Sequence, residues 1–169
     1  MFNVDEMNGM PVSVRIARAS DAHNIAELTA QLGYEITAST AAARLSRILE
    51  RPDQRFLVAE LDGRPVGWVH VTISEYVESG AFVVIGGLVV DGHHRRKGIG
   101  TLLMARAEEW ARQQGCSIVR LWSSSVRTAS HRFYEGLGYT NIKTQYSFMK
   151  SVDTAGQEAL RKFVPQVDE

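Results

Sequence analysis

Val89-Val90-Asp91-Gly92-His93-His94-Arg95-Arg96-Lys97-Gly98-Ile99-Gly100-Thr101 is the stretch from which the rest of the chain can be read, because an apolar strand stops there, a basic turn follows and a glycine-punctuated helix opens. The start of a helix presents backbone N–H groups with no partner inside the helix, and the helix dipole adds partial positive charge, so such a junction binds anions. Gly98 and Gly100 let an anion approach without a Cβ in the way, and Arg95, Arg96 and Lys97 add charge-assisted donors. The spacing excludes two common nucleotide loops. A P-loop needs Lys followed by Ser or Thr after its last glycine, where this chain has Thr101-Leu102. A dinucleotide fingerprint needs G-x-G-x-x-G early in a βαβ unit with an acid about 20 residues later, and neither spacing nor context provides it. The turn reads as a diphosphate seat of another kind.

Working outward, Phe82-Val83-Val84-Ile85-Gly86-Gly87-Leu88-Val89-Val90 has the pattern of a buried strand interrupted by two glycines, which predicts a bulge or a close backbone approach. On the other side, Ile99, Leu102, Leu103, Ala107, Trp110 and Ala111 trace one helical face until Gly115 ends the helix. A second apolar strand follows within residues 116–123, implying a parallel neighbour reached by a right-handed crossover. Nearer the start, residues 12–16 alternate as a strand. Ser20 or Asp21 can cap a helix with Ala22, Ile25, Leu28 and Leu32 inward, and a second helix from Ser39 or Thr40 carries Leu45, Ile48 and Leu49 inward. Residues 56–61 and 65–74 flank Asp62-Gly63 as a hairpin. A last strand is expected over 139–149 and a terminal helix over 154–164.

A chain of 169 residues with 44% apolar content suits one globular domain. Nineteen basic and nineteen acidic side chains leave no net charge, which argues against a partner held by nucleic-acid phosphates; the basic cluster is local. The lone Cys116 opens an apolar strand and is expected in the core rather than in a disulfide. The N-terminal stretch lacks a basic region followed by an apolar one, and no stretch approaches the roughly 18 apolar residues of a membrane span, so a cytoplasmic protein without membrane partners is expected. Residues 1–10 are read as an extension, 11–150 as the domain and 151–169 as a tail.

Arg95-Arg96-Lys97-Gly98-Ile99-Gly100 resembles the R/Q-x-x-G-x-G/A motif of the GNAT superfamily of acyl-CoA-dependent N-acetyltransferases. Further on, Phe133-Tyr134 with Gly138-Tyr139 resembles the helix end that follows in that family, and the likeness runs over about residues 12–150. The resemblance implies an α+β fold: a mixed, mainly antiparallel sheet of six to seven strands with about four helices. It implies acetyl-CoA as co-substrate, no metal, and direct attack of a primary amine on the thioester. It also implies that backbone groups of Leu88, Val89 and Val90 contact the acyl and pantetheine portions, that residues Arg95, Arg96, Lys97, Gly98, Ile99, Gly100 and Thr101 hold the diphosphate, and that Tyr134 protonates the departing sulfur. Homodimers occur among such proteins.

The proton acceptor is less evident. Many relatives carry a glutamate on the strand before the phosphate loop, where this chain has Gly86-Gly87, leaving His70, Glu75 and Glu78 as candidates. His93-His94 suggests a metal, but no third ligand is suitably spaced. Tyr34 and Glu35 between the first two helices, with Glu75, Tyr76 and Glu78 after the long hairpin strand, would make an acidic, aromatic mouth for a small cationic amine of the aminoglycoside or polyamine kind. The alternatives are a protein N-terminus or lysine as acceptor, or a non-catalytic acyl-CoA sensor.

Overall fold

The computed structural model describes residues 5–7 and 10–161. The chain falls into two units, Met1–Ser123 and Ser124–Glu169. In the first, β1 (Asp5–Met7), β2 (Met10–Ile16), β3 (Gln54–Leu61), β4 (Arg64–Tyr76), β5 (Gly80–Val90) and β6 (Val119–Leu121) lie side by side in chain order. Pairings from β1 through β5 are antiparallel, and β6 joins β5 in parallel after the crossover through α3 (Ile99–Gln113).

The sheet is covered on both faces because successive strand side chains point to opposite sides. On one face, Phe56, Val58, Trp68 and Val89 pack with Ile25 and Leu28 of α1 (Ala22–Ala30) and Leu45 of α2 (Ala38–Leu49). On the other, α3 presses onto Gly67, where a Cβ would sit 3.2 Å from Leu103 Cδ1 and 2.9 Å from the Val89 carbonyl. Leu103, Met104 and Ala107 of α3 are fully buried, and Cys116 is buried as its apolar setting predicts. The hairpin turn falls at Asp62-Gly63, both at positive φ (49° and 77°), as expected for a two-residue loop of this sequence.

Local chemistry sets the helix starts differently from the sequence reading. Thr37, not Ser39 or Thr40, caps α2, its Oγ1 accepting from the Thr40 N–H at 3.1 Å. Asp21 occupies the cap position of α1, but its carboxylate accepts instead from the Arg15 guanidinium (2.7 and 2.9 Å) and the Arg18 N–H (2.7 Å). Burial pushes this carboxyl up, yet the Arg15 and Arg18 hydrogen bonds outweigh it and hold it below the usual carboxylate range.

In the second unit, α4 (Thr128–Gly136) and α5 (Thr154–Arg161) are the regular elements among the described residues. The expected end of the terminal helix at 162–164 lies outside the described residues.

The expected count of strands and helices needs correction. The sheet proper is the five strands β2–β6, extended at its edge only by the three-residue β1, and five α-helices stand among the described residues where about four were expected. The expected strand over 139–149 is absent: Ile142, Tyr146 and Phe148 are exposed and no strand pairs with them among the described residues. Alternation marks an apolar face, but an extended segment also needs a partner edge for its backbone groups. Likewise, the strand expected within 116–123 contracts to Val119–Leu121.

Candidate functional site

The turn after β5 is held at several points. The Asp91 N–H donates to the Val66 carbonyl at 2.8 Å, tying the turn to β4. The Asp91 carboxylate accepts from the His93 N–H (3.0 Å), His94 Nδ1 (2.9 Å) and Gln31 Nε2 (2.9 Å). Gln31 closes the clamp by accepting the Gly92 N–H through Oε1 at 2.9 Å. The Gln31 and His94 hydrogen bonds pull the Asp91 carboxyl down to about 2, so it stays ionised. Gln31 follows the last residue of α1, so the clamp fastens the turn to that helix.

Beyond the clamp, Arg96 (φ 58°) and Gly98 (φ 82°) adopt the left-handed conformation, the kind of turn geometry that can aim backbone N–H groups at an anion. The first bond of α3 runs from the Leu102 N–H to the Gly98 carbonyl (3.0 Å), so the amides of Ile99, Gly100 and Thr101 precede it. The Ile99 side chain is core; only its amide can serve the site. Arg95 and Arg96 are exposed and Lys97 half-buried, and Arg95 Nε braces the strand end by donating to the Val90 carbonyl at 3.1 Å.

β5 also leaves part of its outer edge open. β6 pairs with Val83, Val84 and Ile85 only, so from Gly86 to Val90 the backbone groups facing away from β4 meet no strand among the described residues. The opening begins at a bulge: His70 pairs with Gly87 and Val71 with Ile85, leaving Gly86 as the extra residue. Of the two outcomes expected of the glycine pair the bulge occurs, while Gly87 makes room for a side chain rather than for a second backbone. Gly86 is the bulge, and at Gly87 a Cβ would lie 2.8 Å from Trp68 Cζ3.

His70 faces this bulge. Its Nε2 lies 2.9 Å from Gln54 Oε1, its ring stacks on Phe56 at 5.5 Å, and its Nδ1 lies 3.4 Å from where a Gly86 Cβ would be. Burial lowers its pKa below the ordinary histidine value. The other two proton-acceptor candidates are placed differently. Glu75 lies five residues along β4 and Glu78 in the hairpin connection; both are exposed. Five strand residues span about 17 Å, and odd spacing puts Glu75 on the opposite face from His70.

Tyr76 rests edge-on against Phe82 at 5.0 Å, at the same end of the hairpin. Tyr34 and Glu35 are both largely exposed, between α1 and α2. Tyr134 sits in the second unit on α4, half-buried and edge-on to Phe133 (5.2 Å) and Tyr139 (5.9 Å). Burial raises its pKa and Arg127 opposes the shift, so the phenol keeps its proton at neutral pH. His94 is engaged by Asp91, and among the described residues no group of three or more His, Cys, Asp or Glu side chains gathers as for a metal. Nor is any helix there long and apolar enough to cross a membrane. A separate concavity lined by Arg55, Leu57, Arg106 and Trp110 lies at the far end of α3 from the turn.

A clamped strand–turn–helix with free helix-start amides on a mixed sheet is the feature on which comparison with known proteins bears. A model of the acetyltransferase (GNAT) family matches residues 21–139, and the chain belongs to that family. An uncharacterised N-acetyltransferase of Methanocaldococcus jannaschii is 30% identical over 107 residues; the match covers 62% of this chain, which spans about half (47%) of that protein. An aminoglycoside N(6')-acetyltransferase of Klebsiella aerogenes is 30% identical over 115 residues, covering 66% of this chain and 76% of the relative. An aminoglycoside N-acetyltransferase solved in complex with CoA shares the fold with a TM-score of 0.77 at 22% identity, over 84% of this chain and 96% of the other.

Proposed function

We propose that the protein transfers the acetyl group of acetyl-CoA to a primary amine of a small cationic molecule, aminoglycoside- or polyamine-like, by direct attack of the amine. The observation that carries this reading is the clamped turn with three helix-start amides beside an open strand edge. Family membership and the aminoglycoside acetyltransferase among the relatives support it. CoA fits the residues present: its diphosphate needs converging donors and cations, and its extended arm needs a row of free backbone groups. Arg95, Arg96 and Lys97 with the backbone of Gly98, Ile99, Gly100 and Thr101 would hold the diphosphate, and the backbone of Leu88, Val89 and Val90 the acyl end. When bound, acetyl-CoA supplies a thioester carbonyl open to attack.

In this reading Tyr134 donates its proton to the departing sulfur, a role that a half-buried, protonated phenol suits. Glu35, Glu75 and Glu78, with Tyr34, attract the cationic acceptor toward the protein. Titration calorimetry with acetyl-CoA, followed by thiol release across polyamines and aminoglycosides, tests the reading. Heat with acetyl-CoA and turnover with at least one amine is the expected result. A folded protein that gives no heat overturns the proposal, and binding with no turnover converts the chain to a sensor of acyl-CoA.

A further inference from the structure

Gly86 puts no side chain on β5 where that strand passes His70 of the neighbouring β4. A side chain at Gly86 would begin 3.4 Å from His70 Nδ1, so glycine keeps that nitrogen's approach clear. On the far side of the ring, Gln54 Oε1 accepts from Nε2 at 2.9 Å. A neutral imidazole that donates from Nε2 keeps its lone pair on Nδ1. The ring cannot easily swing away, since Phe56 stacks on it and Gln54 holds its edge. The same bulge begins the open edge of β5, on which the acyl end is proposed to lie.

From this geometry we infer that His70 Nδ1 is the proton acceptor for the attacking amine, with Gln54 as the positioning residue that fixes its tautomer. The inference rests on the function proposed above. As the new N–C bond forms and the C–S bond breaks, His70 takes the proton that nitrogen gives up and Tyr134 supplies the one that sulfur gains. Solvent returns a proton from the imidazolium to the phenolate, so the amide and free thiol leave with the protein in its starting state. Burial keeps His70 neutral above the ordinary histidine pKa of 6.5, ready to accept at physiological pH. The residues that meet it from β3 and β5, Gln54, Phe56 and Gly86, are not titratable, and burial is the cause acting on its pKa. Glu75 and Glu78 remain at the far end of the hairpin, suited to attracting a cation rather than to receiving its proton.

Nitrogen-detected NMR of the full chain without ligand reads the tautomer and titration of His70 directly. The expected result is an Nε2–H imidazole titrating below pH 6.5 in the wild type, with that tautomer preference lost in Gln54→Leu. In kinetics with acetyl-CoA and spermine or kanamycin, kcat/KM of the wild type should fall as pH drops through that same midpoint. His70→Ala should abolish this limb and lower kcat by about 10²- to 10⁴-fold, with KM for acetyl-CoA unchanged and partial rescue by added imidazole. Gly86→Ala, which places a methyl over Nδ1, should lower kcat without changing acetyl-CoA affinity. A His70 carrying its proton on Nδ1, or a His70→Gln protein with wild-type kcat and an unchanged acid limb, overturns the inference while leaving the proposed function intact. Failure of the wild type to bind acetyl-CoA removes both.

Discussion

The turn from Asp91 to Gly98 hangs on groups from other elements, Val66 of β4 and Gln31 beyond α1, whereas Tyr134 sits on a helix with no buried residue. The turn therefore inherits its geometry from β4 and from the end of α1. The proposed acid takes its character from a few aromatic neighbours. Under the proposed roles, changes near the turn should act through affinity and global stability, and changes at the tyrosine through rate alone.

The sharpest way to break that contrast is Tyr134→Phe. Turnover should fall by about 10²- to 10⁴-fold in steady-state kinetics, with KM for acetyl-CoA and Tm both unchanged; a matching loss of affinity would join the two regions into one. Next in size is the contrast between Leu103→Ala and Phe133→Ala. The first empties a fully buried position and should cost about 2–5 kcal/mol in urea unfolding. The second, on a half-buried residue of α4, should cost about 1 kcal/mol.

Smaller still is Gly98→Ala. Forcing a Cβ into φ 82° costs about 1–2 kcal/mol. Calorimetry should show acetyl-CoA binding about tenfold weaker with kcat nearly kept, sharpening the view that the turn governs affinity. The smallest effect belongs to the exposed pair Glu75→Lys with Glu78→Lys. KM for spermine should rise about threefold and the rise should shrink with added salt, because exposed charges act weakly and are screened.

Much of the first unit could be read from residue order because its signals are local. Asp62-Gly63 announces a turn, Gly98 a helix start, and the spacing of Leu103, Ala107 and Trp110 a buried face. What escaped depends on partners distant in sequence. Nothing around Gln31 hints that its amide will reach Asp91 and Gly92, 60 and 61 residues later. His70 could be nominated among three candidates, but only pairing with Gly87 and the reach of Gln54 distinguish it from Glu75. The start of α2 reads from the sequence as Ser39 or Thr40 rather than Ala38 because several hydroxyls cluster there and only Thr37 meets the Thr40 amide. The strand expected over 139–149 shows the limit from the other side, because its alternation says which face is apolar but not which edge would take its backbone.

The lone unmatched residue at position 86 works as a phase shift in the strand. Phe82 and Val84 stand opposite Ser74 and Thr72, while Gly87 and Val89 stand opposite His70 and Trp68, so all four belong to one face although 84 and 87 differ by an odd step. Deleting that residue would invert one half of β5, sending either Val89 or Phe82 to the wrong side of the sheet. Insertions and deletions here should therefore be far less tolerated than substitutions.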